Sequence, residues 1–122
     1  DSDLISATAS LTLVVSLMQV FKDLGSEDVT LKMDALEHVG RLGMRAGDDC
    51  IAAVTARLRD EVSAVRSYAA EALGKIVQMG DQNAISAVSE LLQDEMWGVR
   101  VAAVEALGQI SEIGNQQTIA AI

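Results

Sequence analysis

The sequence repeats itself with a period of 34 residues. When residues 62–88 are aligned with residues 96–122, 12 of the 27 positions are identical, and the clearest segments read VRSYAAEALGKI from Val65 and VRVAAVEALGQI from Val99. A more diverged copy, LKMDALEHVGRL, begins at Leu31. Self-similarity at a fixed period of this length indicates a repeat protein, in which each unit buries its apolar surface against its neighbours.

Each period contains two helical patterns. In the first pattern, Ile51, Val54 and Leu58 recur at spacings of three and four, which places them on one face of a helix. The second pattern has an apolar stripe with similar spacing, formed by Val65, Ala69, Leu73 and Ile76. Gly80 suits the turn that follows because glycine tolerates positive φ, and Asp81 can cap the next helix.

These patterns divide the chain into units. We expect repeats at 12–46, 47–80 and 81–114, an irregular N-terminal segment at 1–11 and a partial repeat at 115–122. The chain begins with Asp1 rather than Met, and Ile122 aligns with Val88 in the middle of a first helix. We therefore expect the sequence to be a fragment of a longer array.

Charge and composition restrict the classes of partner. The chain carries 9 Lys and Arg against 18 Asp and Glu, so its net charge of -9 repels nucleic acids and anionic lipids. Its three aromatic residues, Phe21, Tyr68 and Trp97, offer few platforms for base stacking. No phosphate loop, nucleophile elbow or Ser/His/Asp set is present. We predict a non-catalytic protein that binds a protein partner, with no nucleic acid, small-molecule substrate or cofactor.

The chain contains one cysteine, Cys50, and one histidine, His38. One cysteine excludes an intramolecular disulfide, and a metal site needs several His, Cys or carboxylate ligands. Cys50 aligns with small residues in other copies, so we expect it to pack in the core, with a thiol pKa raised by Asp48 and Asp49. His38 aligns with alanines and is interpreted as a surface or inter-repeat residue.

The stretch from Leu4 to Phe21 has no charged residue and is 18 residues long, the lower limit for a helix that spans a bilayer. Six of its residues are Ser, Thr or Gln, and its second half is in register with the repeat. We therefore expect a buried helix of a soluble protein. No residue pattern assigns its compartment, for which the cytoplasm or the plastid stroma is the expectation. Membrane contact through residues 4–21 is the alternative.

The VRxxAAxALGxI core, with an aspartate six residues before its arginine, resembles HEAT repeats. The closest subtype in appearance is the phycobilisome-lyase HEAT-like repeat. The resemblance covers about residues 12–122 and implies a right-handed all-α solenoid of HEAT-like helical pairs. It also implies a ladder of hydrogen bonds between adjacent turns, formed by Asp60, Arg66, Asp94 and Arg100. The first copy has Ser26 and Lys32 at these positions, so we expect a weaker rung there because lysine lacks the planar fork of arginine.

The resemblance implies a protein-interaction scaffold or assembly module, in which the second helices line a concave surface. The residues predicted to contact a partner are Glu37, Arg41, Tyr68, Glu71, Lys75 and Glu105 on these helices and Trp97 at the turn edge. Glu37, Glu71 and Glu105 form either an ordinary solvated face or a docking strip for a basic partner. Trp97 is either a binding anchor or a residue packed against the neighbouring turn.

Two alternative functions come from other classes. The lyase-like subtype implies a bilin lyase subunit or a tetrapyrrole-protein chaperone of photosynthetic antennae, which would hold an apoprotein while its chromophore is attached. The apolar N-terminal stretch is compatible with a small subunit of a larger membrane-associated complex.

Overall fold

The computed structural model describes residues 2–111, and within this range the protein is all-α. Its six α-helices are α1 (Ser2–Leu24), α2 (Val29–Leu42), α3 (Gly47–Arg57), α4 (Ser63–Ile76), α5 (Gln82–Ser89) and α6 (Trp97–Ile110). Short 3-10 turns at Gly43–Ala46 and Glu90–Gln93 connect α2 to α3 and extend α5. The predicted partial repeat at 115–122 lies outside the described residues.

The helices pack as the repeat requires. The second helices α2, α4 and α6 lie side by side, with α4 in the middle, while α1 packs against α2, α3 against α4 and α5 against α6. This arrangement confirms an all-α fold of mutually packed helices, as in a helical repeat. The right-handed twist and the number of repeats stay predictions.

The core follows the apolar stripe of the second helices. All four predicted stripe residues of α4 are buried, namely Val65, Ala69, Leu73 and Ile76. They meet buried residues of the first helices, including Val54, Leu58 and Val88. Most of this core is Ala, Val and Leu, and such small side chains allow neighbouring helices to approach to about 8 to 10 Å.

Glycines and caps shape the turns. Gly80 has a φ of 83°, and the Asp81 carboxylate accepts a hydrogen bond from the Ala84 N–H, so both predicted roles are present. Gly43 and Gly47 also have positive φ, at 61° and 85°, where they bound the 3-10 turn between α2 and α3. This turn was not foreseen from the sequence.

The N-terminal region forms one long helix. The stretch from Leu4 to Phe21, which was expected to be helical, lies within α1, which begins at Ser2 and continues to Leu24. Its inner face is anchored by Val20 and Leu24, which are buried. Its outer face carries an exposed apolar stripe, formed by Leu11, Val14, Val15, Met18 and Phe21.

This exposure overturns the expectation of a buried helix. Residues 7–24 form a window with a mean hydropathy of 1.2, of which only 11% is buried. By length and composition α1 is sufficient to cross a membrane. Its inner face packs on α2 and α3 because these helices supply an apolar surface, whereas no described residue covers the outer face.

Candidate functional site

The acidic row comprises Glu37, Glu71 and Glu105, which occupy the same register on α2, α4 and α6. Because these helices lie side by side, the row runs across them, and all three side chains are exposed. Lys75 Nζ lies 3.4 Å from Glu71 Oε1. Within residues 2–111, neither Glu37 nor Glu105 forms an ion pair. The surface therefore keeps a net negative charge along the row.

A small cleft between α2 and α4 brings four of the predicted residues together. It is lined by Leu36, Glu37, Gly40, Tyr68, Glu71, Ala72 and Lys75. Its volume of about 20 Å³ has room for about one water molecule and not for an organic ligand. The cleft thus places Tyr68 and Lys75 between two glutamates of the acidic row.

Tyr68 is more buried than the sequence suggested. It was expected to face outward, but it is half-buried and packs against the hydrophobic core. The reason is that α2 lies directly beside it and offers Leu36 and Gly40 as neighbours. Gly40 also makes room for Lys75, because a Cβ added there would lie 3.2 Å from Lys75 Cδ.

Arg41 and Trp97 lie apart from this cleft. Arg41 is exposed in the last turn of α2. Trp97 is the first residue of α6 and is 71% exposed, and Met96 before it is 47% exposed. Within residues 2–111 no neighbouring turn covers the Trp97 side chain, and its role as a binding anchor stays a prediction.

The predicted ladder is present at the turns that precede the second helices. Arg66 Nε and Nη2 donate hydrogen bonds to the two carboxylate oxygens of Asp94 at 2.8 and 3.1 Å. Arg66 Nη1 donates to the backbone carbonyls of Asp60 and Glu61 at 2.9 and 3.2 Å. Arg66 therefore connects its own turn to the next turn in the chain.

The first rung uses lysine and recruits a second cation. Lys32 Nζ lies 2.9 Å from Asp60 Oδ2, and Arg57 Nη1 lies 3.3 Å from the same oxygen. The Val62 N–H donates to Asp60 Oδ1 at 2.9 Å. Arg57 was missed by the sequence analysis, although its position three residues before Asp60 was a usable signal. Lys32 donates one hydrogen bond to the Asp60 carboxylate, whereas Arg66 donates two to the Asp94 carboxylate, because lysine lacks the planar fork of arginine.

Burial and charge shift the pKa values of the ladder residues. The hydrogen bonds from Arg66 lower the pKa of the Asp94 carboxyl, and the same interaction raises the pKa of Arg66. Burial tends to raise the pKa of Asp60, but the Val62 N–H and Lys32 outweigh it and hold that pKa below its ordinary value. Both aspartates are therefore stabilised in their charged forms.

Cys50 and His38 do not form a chemical site with these residues. Cys50 is fully buried in the core, and burial, assisted by Asp49, raises the pKa of its thiol. His38 is half-buried and lines a groove of about 290 Å³ between α1 and α2. In the described part of the chain, no three His, Cys, Asp or Glu side chains are grouped so that they could hold a metal ion.

Comparison with known proteins supports the repeat. A family model described as HEAT repeats matches residues 51–122, which is more than half of the chain. No curated protein matches the chain. The matched region includes the two copies that are most similar to each other, with Arg66 and Arg100 of the ladder.

Proposed function

Because the chain belongs to the HEAT-repeat family, whose members commonly serve as protein-interaction scaffolds, we propose that it binds a basic segment of a partner protein across α2, α4 and α6. The acidic row carries this proposal. Its three glutamates are exposed at one register on adjacent helices, and among the described residues only Glu71 forms an ion pair, with Lys75.

The spacing of the row defines the kind of segment that fits. Helices in contact lie about 8 to 10 Å apart, so neighbouring glutamates are separated by a similar distance. A segment in the polyproline II conformation has three residues per turn and advances about 3.1 Å per residue, so a Lys or Arg at every third position would lie on one face and meet successive glutamates. The overall charge of -9 would attract such a segment from a distance and would repel nucleic acids.

Trp97 supplies an apolar contact about two helical turns along α6 from Glu105. It stands at the N-terminal end of α6, beside the exposed Met96, whereas Glu105 lies further along the same helix. Exposed tryptophans often contribute a large share of the binding energy at protein interfaces. We propose that Trp97 anchors an apolar residue of the partner while the glutamates orient its basic residues.

A capture experiment with matched variants tests this function. The chain is used as bait in a native extract, beside a variant with Glu37→Gln, Glu71→Gln and Glu105→Gln. A control variant with Glu27→Gln, Glu61→Gln and Glu95→Gln removes the same charge from three exposed positions at the turns. We expect captured proteins to be lost from the row variant and retained by the control. Equal retention by both variants would contradict the proposal.

The narrower lyase-like function rests on the sequence resemblance described above. Under that hypothesis the bound partner is a phycobiliprotein or another tetrapyrrole protein. Visible absorbance of the same eluates tests it, because bound bilin would be coloured. Colourless partners that depend on the acidic row would support the general scaffold instead.

The exposed stripe of α1 supports a second candidate function, in which the protein associates with a membrane or a membrane complex. The stripe has five apolar residues and no charge, so it is suited to a neutral lipid surface. Co-sedimentation with phosphatidylcholine vesicles tests this function. We expect the vesicles to bind the unaltered chain and the control Ser86→Glu, which adds a charge at an exposed site of α5, but not Met18→Glu. If the unaltered chain does not sediment with the vesicles, this function is refuted.

A further inference from the structure

The exposed stripe of α1 has the spacing of a seam between two helices. Four of its five residues recur at intervals of three, four and three, namely Leu11, Val14, Met18 and Phe21. Alternation of three and four is the pattern by which two helices pack along their length, and it is narrower than the apolar face of a helix that rests on a larger core. The stripe is therefore suited to one further helix.

The N-terminal half of α1 has no support within the described chain. Residues 7–12 are all exposed, and six consecutive residues cover every side of a helix. The C-terminal half, in contrast, is anchored by the buried Val20 and Leu24. Short helical segments are marginally stable in water without tertiary contacts. A partner that covers the stripe would also hold this half of α1 in its helical form.

The stripe is not the surface on which a preceding helical pair would stack. Ala87 and Leu91 of α5 face α3 across the groove between these two helices. The residues at the same register in α1 are Gln19 and Asp23, which line the groove beside α2 and do not belong to the stripe. The stripe thus lies on a different side of α1 from the stacking surface of the repeats.

We infer that a second copy of this chain covers the stripe, with the two α1 helices packed antiparallel. The stripe is symmetric about residue 16, since Leu11 and Phe21 are each five positions from it and Val14 and Met18 are each two. In a pair centred there, Leu11 meets Phe21 of the second copy, and Val14 meets Met18. The two Val15 side chains lie beside each other at the centre. Each unsupported residue 7–12 then lies beside the anchored half of the other α1.

Charge favours this occupant and this direction. Two chains of net charge -9 repel each other wherever their carboxylates meet, but residues 4–21 contain no charged residue. Lys22 borders the stripe, and in a parallel pair the two Lys22 side chains would approach each other. In the antiparallel pair they are separated by 12 positions along the helix axis, or about 18 Å. At ordinary ionic strength, exposed charges more than about 10 Å apart are largely screened.

The second copy is a different occupant from the lipid surface of the second candidate function. Helices that lie on membranes carry Lys and Arg on the polar face beside a broad apolar face. Lys22 is the only cation among residues 7–24, and the seam is narrow. The surface is also separate from the acidic row, so it does not depend on the basic partner proposed above.

Sedimentation equilibrium without lipid or detergent tests the dimer. The unaltered chain should pass from monomer to dimer as its concentration rises through the micromolar range, because a contact of two helices is small. Met18→Glu should raise the dissociation constant about 100-fold or more, since it brings carboxylates into the seam. The control Thr12→Glu adds the same charge at an exposed site of α1 outside the stripe and should dimerise like the unaltered chain. Met18 is 65% exposed, so circular dichroism should show that both variants fold.

Crosslinking tests the direction of the pair. Thr8 and Lys22 are exposed and lie seven residues on either side of Val15, so each lies beside the other residue of the second copy. A short bis-maleimide should join Thr8→Cys chains to Lys22→Cys chains in a mixture, but neither variant to itself. The buried Cys50 should stay unreactive.

Three results would overturn the inference. The first is a chain that stays monomeric throughout the micromolar range, and vesicle binding by such a monomer would make lipid the occupant instead. The second is a dimer that Met18→Glu leaves intact, because the contact would then lie on another surface. The third is crosslinking of Lys22→Cys chains to one another and not to Thr8→Cys chains, which would show a parallel pair.

Discussion

Replacing Arg66 by glutamine should destabilise the protein far more than the same replacement at Arg59. Both arginines form ion pairs with an acidic residue of the following unit, Arg66 with Asp94 at 2.8 Å and Arg59 with Glu90 at 3.2 Å. They differ in their surroundings. The side chains of Arg66 and Asp94 are 13% and 9% exposed, whereas those of Arg59 and Glu90 are 82% and 63% exposed.

The expected magnitudes follow from this difference. Removal of one partner from a buried pair costs about 3 to 5 kcal/mol, because the other charge loses its partner without regaining full hydration. The Arg66 pair retains some solvent contact, so we expect a cost near the lower end, about 3 kcal/mol, for Arg66→Gln. An exposed pair contributes about 0.5 kcal/mol, which is the expected effect of Arg59→Gln.

Equilibrium unfolding in urea measures both changes, with circular dichroism at 222 nm as the signal. The unfolding free energy of Arg66→Lys should lie between those of the wild type and Arg66→Gln. Lysine restores the positive charge but not the bidentate hydrogen bonds to Asp94 or the hydrogen bonds to the backbone carbonyls. The double variant Arg66→Gln, Asp94→Asn should cost less than the sum of the single changes. If Arg66→Gln and Arg59→Gln cost the same, the ladder does not stabilise the stack and the reasoning is wrong.

Three further predictions concern pH, the thiol and the core. The pKa values of Asp60 and Asp94 are lower in the folded protein than the ordinary value of 3.8. Their charged forms therefore stabilise the fold fully above pH 3.8, and this stabilisation is lost as the pH falls through the pKa of the folded state. Asp94→Asn should accordingly weaken the dependence of the unfolding free energy on pH in this acidic range. Cys50 should react with a thiol reagent only after urea unfolding; fast reaction of the folded protein would contradict its burial. Leu73→Ala should lower the unfolding free energy by about 3 kcal/mol, and Val104→Ala by less than about 1 kcal/mol, because Leu73 is fully buried and Val104 is exposed. Urea unfolding measures both changes, and equal values would show that the helix register is misassigned.

The spacing of apolar residues along the chain was sufficient to predict the helices and most of the core. The apolar stripe of α4 was identified from intervals of three and four residues, because side chains on one face of a helix recur at that period. Gly80 and Asp81 were recognised because a positive φ and a helix cap each need a particular residue type. These features depend on near neighbours in the chain, so the sequence contains them directly.

The candidate site depended more on neighbouring helices. The glutamates of the acidic row were placed correctly on one register of the second helices, but the half-burial of Tyr68 follows from the position of α2 beside it. Arg57 joins Lys32 at Asp60 because two different helices bring their cations to one carboxylate. The exposed apolar face of α1 was not foreseen, because burial of an apolar helix face depends on whether another helix covers it.

The sequence by itself determined the helical repeat and its 34-residue register, since these are properties of residue type and spacing, and the resemblance to HEAT repeats supplied the aspartate and arginine positions of the ladder. Only the tertiary structure decided which equivalent residues are covered. Val104 and Ala70 occupy the same register, yet one is exposed and the other is buried. The physical reason is that burial belongs to the pair of surfaces in contact, and a helix at the edge of the described stack has one partner where an inner helix has two.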